Sequence, residues 1–274
     1  DMHGIKGFIP LSQLAPVHYP RVEDGDQEKI FDKLLNLVGK EFKVRIINLD
    51  EENKRIVLSE REALKEEREK IMIVITNPIP IANEINTIHS LFENGLELLH
   101  IRKPNFSDTE MKQFISEIKL EERRRLVLHS HHHLAAIFGI NKIHFSESKR
   151  KTQLMLPGKF PFETYKAKGF QLSTSAHAIE DFNALDNIFE YAFLSPIFSS
   201  ISKEDYSSKT DLFEAIKNRT NFKTKLIALG GIESKNTAQA LENGFDDVAL
   251  LGTIWNQNNP IENFKLCQKI VQSF

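Results

Sequence analysis

Hydrophobic positions after residue 70 fall into short runs that alternate with amphipathic stretches. Runs of this length are typical of buried strands, and apolar residues three to four positions apart indicate helices. The predicted strands span 71–76, 96–101, 125–129, 142–145, 170–174, 191–194, 225–229 and 247–251. The predicted helices span 81–94, 107–119, 131–138, 177–188, 209–219, 233–243 and 261–273. This alternation predicts an α/β fold, a (βα)8 TIM barrel, with a doubly wound open sheet as the alternative.

Residues 1–70 have a different pattern, with denser charge and one predicted hairpin. Period-two alternation over Val38–Asp50 and an apolar run over Lys54–Ser59 predict two antiparallel strands. The stretch Ser59–Lys70 is a charged helical pattern, supported by Glu/Lys/Arg pairs four residues apart. The change in composition near residue 70 predicts two domains, residues 1–70 and residues 71–274.

The first domain resembles the RNA-binding OB-fold domain of the large ribosomal S-one protein. The resemblance is carried by Gly7-Phe-Ile-Pro10, Ser12, Val38-Gly39, Asp50 and Arg55-Ile-Val-Leu-Ser59. It covers about the last three strands of a five-stranded barrel, so we predict an incomplete OB-fold β segment. The resemblance implies weak contact with RNA, with Phe8 as a stacking platform. The alternative is that Phe8 is a core residue.

Composition limits the classes of function. The chain of 274 residues is 41% hydrophobic and carries a net charge of −2, so no global basic field favours nucleic acid or an anionic membrane. The single cysteine, Cys267, excludes a disulfide framework and a four-cysteine metal site. No apolar run approaches the roughly 18 residues of a membrane span, and no secretory signal is recognisable. We therefore expect a cytoplasmic protein without membrane contact.

Two apolar runs near the C-terminus end in glycine. Leu226–Ile232 contains Gly230 and Gly231, and Val248–Ile254 contains Gly252. Neighbouring parallel strands of a barrel end on the same face, where many barrels hold a phosphate. Glycine suits that position because its backbone can approach the phosphate closely. The alternative is that the glycines only turn the chain.

The residues that follow the other predicted strands are rich in His, Lys, Arg and hydroxyl groups and poor in carboxylates. This set suits an anionic ligand that carries one or more phosphates. In chain order its members are His100, Arg102, Lys103, His129, His144, Ser175, His177, Ser200, Ser202 and Lys203.

Residues 71–274 resemble, nearly from end to end, the thiamine phosphate synthase and thiazole tautomerase family. The matching motifs are Ile75-Thr-Asn77, Arg102-Lys103, Leu134-Ala135, Ile143-His144, Ser175-Ala-His177, Pro196-Ile-Phe198, Ala228–Ile232 and Ala249–Gly252. The resemblance implies a transferase that couples a thiazole phosphate to hydroxymethylpyrimidine diphosphate. It also implies that Gly230, Gly231 and Gly252 hold the thiazole phosphate. The groups that face the diphosphate would then be Arg102, Ser200, Ser202 and Lys203.

The predicted catalytic residues are therefore His177, Lys203 and Arg102. His100, Lys103, His129 and Ser175 complete the predicted substrate-binding set, and no metal ligand is assigned. His177 matches the proton-transferring histidine of the family's tautomerases, with a surface histidine as the alternative. Thiazole tautomerase and non-catalytic phosphate binder are the alternative functions, and an RNA-binding translation protein is the rival from another class. Self-association into a homo-oligomer is left open.

One departure from the family concerns Mg²⁺. The family's synthases hold this ion with aspartates after the third and fourth strands, where this chain has His129-Ser130 and Lys149. A hydroxyl and an ammonium group cannot replace hard carboxylate ligands, so we expect Mg²⁺ binding and synthase turnover to be impaired. The run His129–His133 is not predicted to bind a metal, because a strand end followed by a helix start points its rings in different directions.

Overall fold

A computed structural model describes residues 6–15, 18–20, 26–50, 55–67, 71–155, 161–198 and 212–274. The chain divides into two compact units, Asp1–Glu69 and Lys70–Phe274. Across the described ranges, no helix combines the length and the apolar character that crossing a membrane requires.

The first unit contains a three-stranded sheet. Its strands are β1 (Lys6–Phe8), β2 (Arg45–Asp50) and β3 (Arg55–Ser59), in the order β1-β3-β2. Its helices are α1 (Gln27–Leu35) and α2 (Glu60–Glu67), with a short 3-10 turn at Leu11–Gln13. β2 and β3 pair antiparallel, which confirms the predicted hairpin, and β1 pairs parallel with β3. The relation of this sheet to an OB-fold stays a prediction.

The second unit is a closed barrel of parallel strands that follow one another in chain order. The strands are β4 (Ile73–Ile75), β5 (Leu98–Ile101), β6 (Leu126–Leu128), β7 (Lys142–Phe145), β8 (Gln171–Ala176), β9 (Phe189–Leu194), β10 (Lys225–Leu229) and β11 (Asp247–Leu250). Each lies within a few residues of its predicted position. The open-sheet alternative is wrong, because β11 pairs with β4 and closes the barrel.

Helices surround the barrel. They are α3 (Glu84–Glu93), α4 (Asp108–Glu117), α5 (His132–Ala135), α6 (Glu147–Met155), α7 (Pro161–Ala167), α8 (Ile179–Asn183), α9 (Leu212–Ala215), α10 (Ser234–Glu242), α11 (Gly252–Trp255) and α12 (Pro260–Val271). Short 3-10 segments span Leu120–Arg125, Ala136–Phe138 and Ile216–Asn218. The start of α4 shows why the helices begin where they do, since Ser107 and Glu110 form a reciprocal capping box.

The hydrophobic core of the second unit has two parts. The larger part lies between the strands and the helices, and the smaller part fills the barrel with side chains such as Ile73, Val127 and Phe193. Polar side chains interrupt this apolar interior. His100 and His144 are at most 1% exposed although both stand on strands. Burying polar rings inside a barrel requires hydrogen-bond partners, and those partners define the site.

Candidate active site

A cavity of about 830 Å³ opens at the C-terminal ends of the barrel strands. In TIM barrels this end carries the chemistry, because the loops after all the strands converge there. Each strand contributes at least one lining residue from the segment directly after it. In chain order these are Asn77, Arg102, His129, Ser146, His177, Ser195, Gly230 and Gly252.

Gly230, Gly231 and Gly252 line one side of this cavity, and we call them the glycine cradle. Gly230 and Gly231 have φ angles of +100° and +64°, in the left-handed region that favours glycine. A Cβ on Gly230 would stand 2.9 Å from the Cα of Pro196. Gly252 is the first residue of α11, where backbone N–H groups lack partners within the helix. The cradle thus combines close approach with N–H groups suited to an anion.

Arg102 follows β5 and lines the cavity. Its backbone N–H donates to Oγ1 of Thr76 over 2.9 Å, which ties the segment after β5 to the one after β4. The guanidinium group carries a permanent positive charge and can bind a diphosphate through two N–H groups. Its position agrees with the predicted role toward an anionic group, and that role itself stays a prediction.

Lys103 does not line the cavity, so the predicted contact between Lys103 and a substrate is wrong. The side chain is 0% exposed, and Nζ lies 2.8 and 2.6 Å from the two carboxylate oxygens of Glu84. Burial lowers the pKa of the Lys103 amine and raises the pKa of Glu84, while their mutual attraction opposes both shifts. Lys103 is a structural residue that joins α3 to the segment after β5.

Three buried or half-buried histidines, His100, His129 and His144, meet beside the cavity, and we call them the histidine cluster. Nδ1 of His100 lies 2.9 Å from Nε2 of His129. The rings of His129 and His144 are stacked, with centroids 4.1 Å apart. His129 and His144 line the cavity, whereas His100 is wholly buried beneath it. The prediction that His100 contacts a substrate is therefore wrong, because neighbouring side chains cover it.

Fixed hydroxyl groups hold two of these rings. Nε2 of His100 is hydrogen-bonded to the Tyr191 hydroxyl over 2.7 Å. Nδ1 and Nε2 of His144 lie 2.9 Å from the hydroxyl oxygens of Ser173 and Ser175, respectively. Ser175 also lines the cavity, which agrees with its predicted role in substrate binding, and that role stays a prediction. Burial lowers the pKa of all three histidines, in the case of His100 to about 3. All three rings are therefore neutral at pH 7.

His177 stands after β8 and is paired with a carboxylate at the mouth of the cavity. Its Nδ1 donates to Oε2 of Glu147 over 2.5 Å, and Lys151 donates to Oε1 of the same carboxylate over 2.5 Å. Burial by itself would raise the pKa of Glu147, but these hydrogen bonds outweigh it and lower the pKa to about 2. Glu147 is thus ionised at pH 7 and orients the imidazole of His177.

The remaining predicted residues divide into two groups. Ser200, Ser202 and Lys203 lie outside the described residues. The predicted scatter of the rings after β6 holds only in part. His131 and His133 both face Asp108, with Nε2 atoms 3.6 and 2.8 Å from its two carboxylate oxygens, whereas His132 reaches the carbonyl of His144. His129 instead meets histidines from neighbouring strands. Polar residues in apolar strands were the available signal for this cluster, since His100 and His144 each interrupt a hydrophobic run.

The residues at the expected Mg²⁺ positions do not fit that ion. Nζ of Lys149 donates to the carbonyl oxygen of His129 over 3.2 Å, and Oγ of Ser130 is hydrogen-bonded to His131. Among the described residues that line the cavity, Glu147 is the only carboxylate, and it is committed to His177 and Lys151. Mg²⁺ requires several oxygen ligands, which this side of the cavity does not supply.

Comparisons with known proteins point in one direction. Residues 72–254 match the family model described as thiamine monophosphate synthase. The thiamine-phosphate synthase of Caldicellulosiruptor saccharolyticus is 22% identical over 198 residues, which cover 70% of this chain and 86% of that protein. The corresponding enzyme of Prochlorococcus marinus is 33% identical over 94 residues, covering 34% of this chain. The matched segments span only 26%, 41% and 60% of the first three curated relatives.

Solved structures agree with these matches. The crystal structure of thiamine phosphate pyrophosphorylase from Bacteroides thetaiotaomicron is similar to this chain with a TM-score of 0.57 and 28% identity. The similarity covers 74% of this chain and 98% of that protein. The barrel fold is thus shared with a solved structure of related sequence.

Proposed function

The chain belongs to the thiamine monophosphate synthase family, and from that premise we propose that its barrel is a thiamine phosphate synthase-type transferase. The substrates are a thiazole phosphate and hydroxymethylpyrimidine diphosphate. The observation that carries the proposal is the placement of the glycine cradle and Arg102 on the same cavity. That arrangement provides one site for a monophosphate and a fixed cation for a second anionic group.

The reaction needs little covalent chemistry from the protein. The C–O bond to the diphosphate breaks, and its electron pair leaves with the diphosphate. The thiazole nitrogen then donates its lone pair to the resulting methylene cation and forms the new C–N bond. Catalysis of such a step rests on holding the two substrates together and on stabilising the separating charges.

The glycine cradle would bind the thiazole phosphate through backbone N–H groups. Arg102 would neutralise part of the charge on the leaving diphosphate, together with Ser200, Ser202 and Lys203 of the resemblance. The described cavity residues do not fit Mg²⁺. Turnover therefore depends on protein cations, and we expect it to be less sensitive to Mg²⁺ than in a synthase with aspartate ligands.

The test is formation of thiamine phosphate from both substrates, with and without Mg²⁺, followed by mass spectrometry. Reactions that lack one substrate and reactions with Arg102→Ala are the controls. We expect product in both conditions and about tenfold or greater loss in the variant, the equivalent of about 1.4 kcal/mol. Absence of thiamine phosphate under both conditions would refute the proposal.

The contact between His177 and Glu147 favours a second candidate, a thiazole tautomerase. A histidine oriented by a carboxylate can move a proton on a carboxylated thiazole phosphate. We expect His177→Ala to abolish isomerisation, measured by proton NMR, and His177→Gln to do the same because glutamine does not transfer protons. Isomerisation that persists in both variants would remove this candidate.

For residues 1–70 we propose weak contact with single-stranded RNA. Phe8 is 46% exposed rather than buried in the core, and the guanidinium carbon of Arg55 lies 5.1 Å from its ring centroid. An exposed aromatic ring beside a cation suits base stacking and phosphate contact. Binding to a short RNA should weaken with salt and in Phe8→Ala. Salt-insensitive or absent binding would exclude this role.

A further inference from the structure

The histidine cluster brings together metal-ligating atoms that are distant in the sequence. His100 stands on β5, His129 follows β6 and His144 stands on β7, so three adjacent strands supply one ring each. One ligating nitrogen from each ring lies within 4.8 Å of the other two. Within the described ranges, no other group of three His, Cys, Asp or Glu residues meets in this way.

Partners on the far side of the rings resemble the outer shell of a metal site. Metal-binding histidines usually bond their second ring nitrogen to a fixed oxygen, which sets the tautomer and the ring orientation. Tyr191 supplies this oxygen to Nε2 of His100, and Ser173 supplies it to Nδ1 of His144. Both hydroxyl groups stand on barrel strands and are buried, so they hold the rings from a rigid frame. The ligating nitrogens are then Nδ1 of His100 and Nε2 of His144, which exchange their present contacts with His129 and Ser175 for the ion.

The protonation state also suits a metal. A histidine ligand must be neutral, and proton competition weakens binding near its pKa. Burial keeps the pKa of each ring in the cluster below the usual value. The close contact of 2.9 Å between His100 and His129 is itself only compatible with at least one deprotonated nitrogen.

We propose that His100, His129 and His144 bind a divalent transition-metal ion of the Zn²⁺ or Co²⁺ class beside the cavity. Three imidazole ligands and one open position are the ligand set of many catalytic zinc sites. Zn–N bonds of about 2.1 Å place tetrahedral ligand nitrogens roughly 3.4 Å apart. The ligating nitrogens lie within 4.8 Å of one another, so binding draws them together and turns the stacked rings of His129 and His144 toward a common point. Nitrogen ligands select such ions over Mg²⁺ and Ca²⁺, which prefer oxygen.

The open position of this ion faces the cavity, because His129, His144 and Ser175 all line it. Its fourth ligand is therefore water, a phosphate oxygen or a heterocycle nitrogen of the bound substrate. The inference goes beyond the proposed transferase reaction and does not depend on it. An inactive binder with the same cluster would bind the same ion.

The test uses the whole 274-residue chain without an affinity tag, treated with a chelator and titrated with Co²⁺ and Zn²⁺. We expect one ion per chain by calorimetry and visible ligand-field bands for the Co²⁺ form. His129→Gln and His144→Gln should each weaken binding by more than the 10–100-fold typical of an outer-shell change, whereas Ser173→Ala should fall within about 10–100-fold. His133→Gln is the matched control, because His133 is exposed and paired with Asp108.

Circular dichroism verifies that each variant is folded. The proposal is overturned by wild-type protein that shows no ligand-field bands. It is also overturned by binding that the His129→Gln and His144→Gln variants retain, or that His133→Gln loses equally. The titration contains no substrate, so its failure leaves the transferase proposal untouched. A failed thiamine phosphate assay would equally leave the metal site standing.

Discussion

The glycine cradle and the histidine cluster serve the same cavity but are built by different means. The cradle consists of backbone at the ends of β10 and β11, and its value lies in the absence of side chains. The cluster consists of side chains from three strands, and its value lies in rings kept neutral by burial. Ligand binding at the glycine cradle should be weakened by any added side-chain atom and should not depend on pH. The histidine cluster should respond strongly to pH and to metal.

The largest expected effect concerns the buried ion pair between Lys103 and Glu84. Lys103→Met leaves the carboxylate of Glu84 buried without its partner, which typically costs about 3–5 kcal/mol of unfolding free energy. Urea denaturation followed by fluorescence measures this change. The double variant Lys103→Met/Glu84→Leu should recover most of the loss, because it removes both charges. A single variant as stable as the wild type would show that the pair is not structural.

The next effect breaks the cradle alone. Gly230→Ala places a Cβ 2.9 Å from backbone of Pro196 at a φ of +100°, so we expect affinity for thiazole phosphate to fall about 100-fold. Calorimetry with the thiazole phosphate alone measures it. Gly139→Ala is the matched control, since its φ is +70° but nothing lies within 4 Å of the new Cβ. Equal affinity in wild type and Gly230→Ala would contradict the cradle.

Low pH should act on the histidine cluster and not on the glycine cradle. At pH 5 the buried His100 stays neutral, whereas the same residue in the unfolded chain is protonated, so protons favour unfolding as the pH falls below about 6.5. The unfolding free energy keeps falling until the pH reaches the folded-state pKa of His100, about 3. Between pH 8 and pH 5, His100 alone should lower the unfolding free energy by about 2 kcal/mol.

Denaturation with chelator present measures that dependence, so that bound metal does not contribute. His100→Gln should flatten the pH profile, and the exposed His133→Gln should not. Gly230→Ala should keep the wild-type slope, because no titrating group changes. A pH profile that His100→Gln leaves unaltered would show that the ring is not kept neutral by burial.

The smallest expected effect concerns the cation next to the histidine cluster. Arg102→Lys keeps the charge but loses the paired N–H groups, so we expect about a tenfold rise in KM for hydroxymethylpyrimidine diphosphate. The KM for thiazole phosphate should stay unchanged, since the cradle is intact. Steady-state kinetics with each substrate varied in turn measures the split. Equal increases in both KM values would mean that Arg102 and the glycine cradle do not bind different substrates.

Most of the fold follows from local patterns in the sequence. The eight strands and most of the helices were recoverable because hydrophobic spacing reflects which face of each element is buried. The cradle was recoverable for the same reason, since Gly230, Gly231 and Gly252 stand at the ends of apolar runs. These features depend on near neighbours in the chain, and a sequence displays near neighbours directly.

The cavity-facing role of individual side chains depends on distant contacts. Arg102 and Lys103 are adjacent and chemically alike, yet one lines the cavity and the other is buried against Glu84. No local pattern distinguishes them, because the direction of Lys103 is decided by the Glu84 carboxylate on α3, which is distant in the sequence.

The sequence by itself determined the positions of the eight strands and the glycines that shape one side of the cavity, because hydrophobic period and backbone freedom are local properties. Closure of these strands into a barrel rather than an open sheet was decided by the pairing of β11 with β4. Only the tertiary structure decided the rest. Barrel closure brings His100, His129 and His144 together from three strands, and it buries Lys103 while leaving Arg102 at the cavity. The physical reason is that hydrogen bonds, burial and pKa shifts depend on distances in space, which chain closure sets.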